Sequence, residues 1–459
     1  MSKVLLLKPF TKDSYTIVPP IGLAYLSSVL KKNGIAVQLI DGARERLSSA
    51  DIIQIISKDK PEIVGINFYT NDFYEVKGLL RQIKEYDPKI VTVAGGPHPS
   101  ALPEETLNAL NDLDYVLIGE AEIGFPRLAK GFPPAEIEGL AWREDGQVRL
   151  NPPKLVENLD SLGAPDWEAI PPPIYSNAPL GGFARAVPIA YLLTSRGCPF
   201  PCTFCAGKNI YGNKIRWRSL ENVIAEIEYL INKYGVKEFH ILDDNFAYRK
   251  EYVISFCNEI IKRGIKVNFN CSNGIRLESL NFEIFQLMRR AGFYSFSVGI
   301  ESGSSRILKD MRKGTSLDAL REKISLARKA GLEITGLFIV GYPTETEEDI
   351  LKTIEYAKSI KINKAAFTAF LPLPGSPIYN ELKASGKIDK EDWKNFSYYV
   401  APKSYMAEVS TERLNQLLKK AFKSFYFRPA QIYYMIKNIA SIKHLKSLIK
   451  RVFGQLLQK

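Results

Sequence analysis

Three cysteines fall within eight residues of the segment Thr194-Ser195-Arg196-Gly197-Cys198-Pro199-Phe200-Pro201-Cys202-Thr203-Phe204-Cys205. Their spacing is C-x3-C-x2-C, directly after an apolar run, IAYLLTS. Three thiolates on one short loop can ligate three irons of a [4Fe–4S] cluster, which leaves the fourth iron open to a small molecule. A zinc loop is the alternative, but zinc usually takes four protein ligands in paired motifs. No partner Cys or His lies close to the loop in sequence. Asp243 and Asp244 close a later strand pattern. They are expected either to face substrate or cofactor or to cap the next helix. Cys257 falls in a helical pattern and His240 inside a strand, so both read as buried core residues.

Repeated β-α units must position these groups. From residue 188 the runs IAYLLTS, EFHILDD, VNFNCSN, YSFSVGIES, ITGLFIVG and AAFTAFLPL read as strands. The helical patterns between them often end on a basic residue and then Gly235, Gly264, Gly292 or Gly331, as helix C-termini do. Six units predict an open, partial (β/α)6 barrel with its functional groups at the carboxyl ends of the strands. The first 130 residues alternate five apolar runs (VLLL, VQLID, IVGINFY, IVTVAGG and YVLIGE) with amphipathic stretches. That order predicts a doubly wound α/β domain of the Rossmann or flavodoxin type, with ligands beyond the strand ends. Residues 131–187 are proline-rich and read as a linker holding at most one hairpin, AWREDGQVRL. The expected division is 1–130, linker 131–187, barrel 188–400 and a helical region 401–459.

The cysteine motif, with an aromatic before its last Cys, resembles that of the radical S-adenosylmethionine enzymes. The resemblance implies that S-adenosylmethionine chelates the open iron and is cleaved reductively to a 5′-deoxyadenosyl radical. It places Phe204, Asn270, Ser272, Arg276, Glu301, Ser302 and Gly341 around S-adenosylmethionine. The N-terminal segments Pro20-Ile21-Gly22-Leu23-Ala24-Tyr25-Leu26, Gly95-Gly96-Pro97-His98-Pro99-Ser100 and Asp114-Tyr115-Val116-Leu117-Ile118-Gly119-Glu120 resemble the cobalamin-binding domain fused to one class of these enzymes. That likeness places Pro20, Gly22, Asp41, Gly95, Gly96, His98, Gly119 and Glu120 at cobalamin. Related domains often carry Asp-x-His-x-x-Gly, whose His ligates cobalt from below. Here the segment reads Asp41-Gly42-Ala43-Arg44-Glu45-Arg46, so no His stands at that position.

The class implies methylation of an unactivated carbon, with cyclisation or oxidation of a lipid or tetrapyrrole as the alternative. A non-catalytic cobalamin or redox sensor is a further reading. A methylthiotransferase would carry cysteines for a second cluster before the motif, and residues 1–197 contain none. The expected partners are a small-molecule or lipid substrate and a reductant such as a flavodoxin or ferredoxin.

The chain is 46% hydrophobic and 24% charged, an ordinary globular composition. It has no apolar run long enough for a spanning helix and no signal-peptide pattern, so a cytoplasmic protein is expected. From Leu414 to Lys459 there are ten Lys or Arg and no Asp or Glu, which supplies +10 of the net +12. The remainder is close to neutral, so no nucleic-acid surface is expected. The basic tail reads either as a peripheral contact with an anionic membrane or as a solvated helix packed on the barrel by its aromatic face.

Overall fold

The computed structural model describes residues 3–10, 17–175, 184–388, 393, 396 and 403–437. The first sheet holds β1 (Lys3–Lys8), β2 (Ala36–Asp41), β3 (Ile63–Asn67), β4 (Val91–Gly95), β5 (Tyr115–Leu117), β6 (Leu140–Glu144) and β7 (Gln147–Leu150). Its order is β2-β1-β3-β4-β5-β6-β7. The first five strands are parallel, in the 2-1-3-4-5 order of doubly wound sheets whose ligands bind where the order reverses. Strands β1 and β3 are almost wholly buried, because helices cover both faces.

The expected boundary at residue 130 falls inside this sheet. The hairpin β6–β7 adds two antiparallel strands to its edge at β5. The proline-rich segment is likewise more than a linker. Val156, Leu159, Leu162, Trp167, Ile170 and Tyr175 are buried in the same apolar cluster as the barrel. The Trp167 indole also donates to Glu226 (2.9 Å). Proline prevents regular pairing there, but it leaves the apolar side chains free to pack.

The second sheet runs β8 (Ile189–Leu192), β11 (Glu238–Ile241), β12 (Asn268–Ile275), β13 (Phe293–Glu301), β14 (Glu333–Val340) and β15 (Lys364–Ala369), in sequential order and all parallel. This is the expected partial barrel of six strands. Between its first two strands, β9 (Ser195–Arg196) pairs antiparallel with β10 (Arg216–Trp217). That ribbon closes the loop carrying the cysteines. The helix over Thr411–Tyr426 buries Leu414, Leu417, Ala421 and Phe425 against the barrel. A short helix, Pro429–Lys437, follows. Residues 438–459 of the tail lie outside the described residues. No helix among the described residues is long and apolar enough to cross a membrane.

Candidate functional site at the facing strand ends

The carboxyl ends of the two sheets face each other across one hollow. Its empty space is about 1690 Å³, counting its open mouth. Pro20, Gly22, Gly95, Gly96, Gly119 and Glu120 line the wall from the first sheet. Leu242, Asp244 and Asn273 line the barrel wall, with Tyr191, Leu193 and Arg196. Gly96 has φ +96°, and a Cβ there would lie 2.6 Å from Asn67 Nδ2, so only glycine fits against that strand end.

Two residues expected at this wall do not line it. Asp41 is buried behind it, where it accepts from the Tyr175 hydroxyl (2.9 Å) and the Arg44 N–H (3.2 Å). His98 is 1% exposed inside an aromatic cage. Its ring lies 5.5 Å from Phe68, 5.3 Å from Phe73 and 4.7 Å from Trp393. Its Nδ1 is 3.1 Å from the Thr70 hydroxyl. The helix over Pro97–Ala101 turns this side chain back into the core.

Burial lowers the His98 pKa to about 4, below its ordinary value of 6.5. The unfolded chain therefore binds the proton first on acidification. Stability from this group is complete above pH 6.5 and is lost as the pH falls towards 4, by about 3 kcal/mol. His98→Gln is expected to flatten that part of a pH series of urea midpoints. An unchanged slope in the variant would refute the assignment.

Glu120 reaches the hollow, but both its carboxylate oxygens are engaged. Arg216 holds it with both Nη atoms (2.7 and 2.9 Å), and Arg196 Nη1 lies 3.1 Å away. Arg196 also pairs with Glu122 (2.8 Å). All four side chains are at most 7% exposed. Two carboxylates of the first domain thus meet two guanidinia of the ribbon, which fixes the two sheets against each other.

The cysteine loop leaves β9 through Gly197, whose φ is +96° and whose Cβ would lie 2.4 Å from the Lys214 carbonyl. Backbone crosses backbone here, so no side chain is tolerated. Asp243 staples the base of the loop. The Thr194 N–H and hydroxyl and the Ser195 hydroxyl all donate to it, at 2.5–2.7 Å. Its carboxylate is taken up by the base of the loop, and it does not line the hollow. Asp244 does face the hollow, and burial beside Asp243 raises its pKa to about 6.

Cys198, Cys202 and Cys205 are all free thiols, and Cys205 is exposed. Burial pushes the half-buried Cys198 thiol up, and the charge of Cys202 adds to that. Thiolates here call for a cationic partner such as iron. No three His, Cys, Asp or Glu among the described residues converge on one ion. A cluster does not require that convergence, since each thiolate holds a different iron. The loop therefore fits a cluster. Cys257 and Cys271 are buried in the barrel and stand apart from it.

Several residues expected at S-adenosylmethionine do gather beside the loop. Arg276 stacks on Phe200 at 3.7 Å, and its Nη2 donates to the carbonyls of Lys313 (2.6 Å) and Gly314 (3.1 Å). Among the described residues its buried Nε and Nη1 have no acceptor, and the Ser272 hydroxyl has no partner. Lys313 Nζ bonds Glu301 (2.7 Å) and lies 5.9 Å from the Phe204 ring. Glu301 sits at φ +67°, an uncommon conformation that folds its carboxylate over Gly299. Asn270 lies half-buried on β12, between Phe269 and Cys271.

Two of the expected residues are otherwise engaged. The Ser302 hydroxyl lies 3.1 Å from that of Thr353 and accepts from the Ser304 N–H. Gly341 donates its N–H to Glu345 (2.7 Å), and a Cβ there would meet Leu414. Sequence reasoning missed Lys8, Asn67, Tyr69, Arg196, Tyr211 and Asn273 in the hollow and Lys313 beside the loop. The position of Arg196 just before the cysteine motif was the available signal.

Residues 192–357 match the Radical SAM superfamily, and residues 8–129 match the B12 binding domain. The chain is 34% identical to an uncharacterized methyltransferase of Pyrococcus horikoshii, over 99% of this chain and 98% of that one. It is 29% identical to the cytidylyl-2-hydroxyethylphosphonate methyltransferase of Streptomyces wedmorensis, over 85% and 83%. It is 27% identical to the anaerobic magnesium-protoporphyrin IX monomethyl ester cyclase of Cereibacter sphaeroides, over 91% and 68%. Its fold resembles the cobalamin-dependent S-adenosylmethionine radical enzyme OxsB, with a TM-score of 0.78 and 18% identity over 100% of this chain and 72% of that one. It also resembles the methyltransferase TsrM of Kitasatospora setae, with a TM-score of 0.73 and 17% identity over 94% and 90%. With a [4Fe–4S] cluster, S-adenosylmethionine and cobalamin as its cofactors, the chain belongs to the cobalamin-dependent radical S-adenosylmethionine family of methyltransferases and cyclases.

Proposed function

We propose that this enzyme methylates an unactivated carbon of a lipophilic small molecule held between the two strand-end faces. The observation that carries this reading is the single hollow shared by the carboxyl ends of both sheets. When bound, the cofactors supply a 5′-deoxyadenosyl radical to remove hydrogen and a cobalt-borne methyl group to replace it.

The chain's own residues position these groups. Cys198, Cys202 and Cys205 hold the cluster. Arg276, with two nitrogens that have no acceptor among the described residues, takes the carboxylate of S-adenosylmethionine. Phe204, Asn270, Ser272 and Glu301 surround the remainder, while Ser302 and Gly341 shape the adjoining strand ends. Pro20, Gly22, Gly95, Gly96 and Gly119 present backbone to the corrin, and Asp244 faces the substrate. Asp41, His98 and Asp243 act from behind by fixing these walls, and Glu120 does so from within the wall.

In this reading the cobalamin-binding unit ends with the β6–β7 hairpin. A strap over 151–187 joins it to the barrel over 188–400, and 401–459 form the C-terminal region. A one-electron reductant of flavodoxin or ferredoxin type and peripheral contact of the basic C-terminal region with an anionic membrane complete the reading.

The test is anaerobic turnover of the reconstituted, cobalamin-loaded enzyme with S-adenosylmethionine bearing a CD3 group, over a panel of lipids and tetrapyrroles. Product carrying the intact CD3 group together with 5′-deoxyadenosine is expected. Unlabelled product formed with 5′-deoxyadenosine would overturn methylation in favour of cyclisation or oxidation.

A further inference from the structure

The last described helix carries an apolar stripe that stands exposed among the described residues. Ile432, Tyr433 and Ile436 are 40%, 67% and 63% exposed, and Phe427 just before the helix is 51% exposed. The spacing 432, 433 and 436 puts three of them on one face. The opposite face is fixed to the barrel. There the Tyr434 hydroxyl donates to Glu333 (2.8 Å), and Arg428 Nη1 donates to the Lys358 carbonyl (2.7 Å). The stripe therefore has a set direction.

Cations surround it. Arg328, Lys329 and Lys361 line a groove beside the helix, with Ser325 and Ile362. Exposed Lys437 ends the same helix, and exposed Lys423 lies on the helix before it. The sequence has no acidic residue from Leu414 onwards and five more Lys or Arg after Lys437. Apolar side chains ringed by Lys and Arg suit the interface of an anionic bilayer, where rings and aliphatic groups enter the headgroup layer and cations meet lipid charge.

The location of this face has a mechanistic consequence. Glu333 is the first residue of β14, and Lys361 stands just before β15. The hollow lies at the opposite, carboxyl end of the same parallel sheet, beside β8, β11 and β12. Eight residues of β14, at about 3.3 Å each, separate the two ends by about 25 Å. We propose that this stripe and its cationic groove dock on an anionic lipid surface, and that docking turns the mouth of the hollow away from the bilayer. This rests on the membrane contact proposed above and changes its meaning. The membrane holds the enzyme in place, and substrate enters from the aqueous or partner-bound side rather than out of the docked leaflet.

Full-length holoenzyme is sedimented with vesicles of phosphatidylcholine alone or mixed with phosphatidylglycerol. Binding to the mixed vesicles that weakens with salt is expected. Lys329→Glu and Lys361→Glu are each expected to lower the partition coefficient at least about fivefold, the effect of one cation near such a surface. Ile432→Ser with Ile436→Ser should lower it further, without changing the melting temperature. Orientation is read by quenching with brominated lipid, using Ile436→Trp on the stripe and Tyr69→Trp at the hollow. Quenching gained by Ile436→Trp alone supports the proposal. Quenching at position 69 would keep membrane contact but overturn this face. Equal pelleting with neutral vesicles, or retention on RNA or a protein partner in place of lipid, would overturn the membrane contact itself. Turnover in detergent-free solution is measured in parallel, so a failed docking face is distinguishable from a failed methylation reading.

Discussion

Replacing Cys198, Cys202 or Cys205 by alanine is expected to drop reconstituted iron from about four atoms per chain to well below one, with no detectable 5′-deoxyadenosine. The three thiols share one loop whose ends are tied by the β9–β10 ribbon and whose base is stapled by Asp243. Loss of one thiolate opens a second iron to solvent, and a cluster held by two ligands is not retained. The control is the other pair of cysteines. Cys257 and Cys271 are 0% and 1% exposed in the barrel core. Their alanine variants should keep full iron and lose only packing, about 1 kcal/mol each. Iron and sulfide determination on all five variants separates the two groups. Iron lost from Cys271→Ala, or retained by Cys202→Ala, would refute the three-thiolate site.

The second large effect is expected at Glu120. This carboxylate is nearly inaccessible, and it neutralises Arg216 and shares Arg196 with Glu122. Two negative and two positive groups balance with little solvent exposure. Glu120→Ala leaves a guanidinium buried without its counter-charge, and such a change costs about 3–5 kcal/mol. Removing both partners, as Glu120→Leu with Arg216→Met, should recover much of that loss, because the ions also carry a desolvation cost. Urea midpoints for the single and double variants test this. The single change should also raise proteolysis within 151–175, which bonds to both units. If the double variant is less stable than Glu120→Ala, the pair itself is stabilising and the argument from charge imbalance fails.

The same ionic cluster explains why the partners of some candidate site residues were not legible in the sequence. Glu120 ends the fifth strand pattern, where a ligand contact is the natural expectation. Its partners lie 76 and 96 residues away, on a ribbon too short to give a strand pattern. His98 follows two glycines at a strand end, yet a five-residue helix rotates it into an aromatic cage that includes Trp393. Asp243 and Asp244 are neighbours with opposite directions. They follow β11, which ends at Ile241, and the chain beyond it sends one to the base of the loop and the other to the hollow.

The sequence by itself determined the β-α order of both halves, the partial barrel and the cluster loop. Those features depend on local periodicity and on residues within a few positions of one another. The aromatic and basic tail was also legible as an amphipathic segment, but its orientation was not. Tertiary structure alone decided which carboxylates meet guanidinia and which glycines face open space. It also decided that the proline-rich segment joins the barrel core, and that the exposed stripe of the last helix stands at the end of the barrel away from the hollow. Each of these depends on pairings between residues far apart in the chain, which the packing of two sheets brings together and local pattern does not encode.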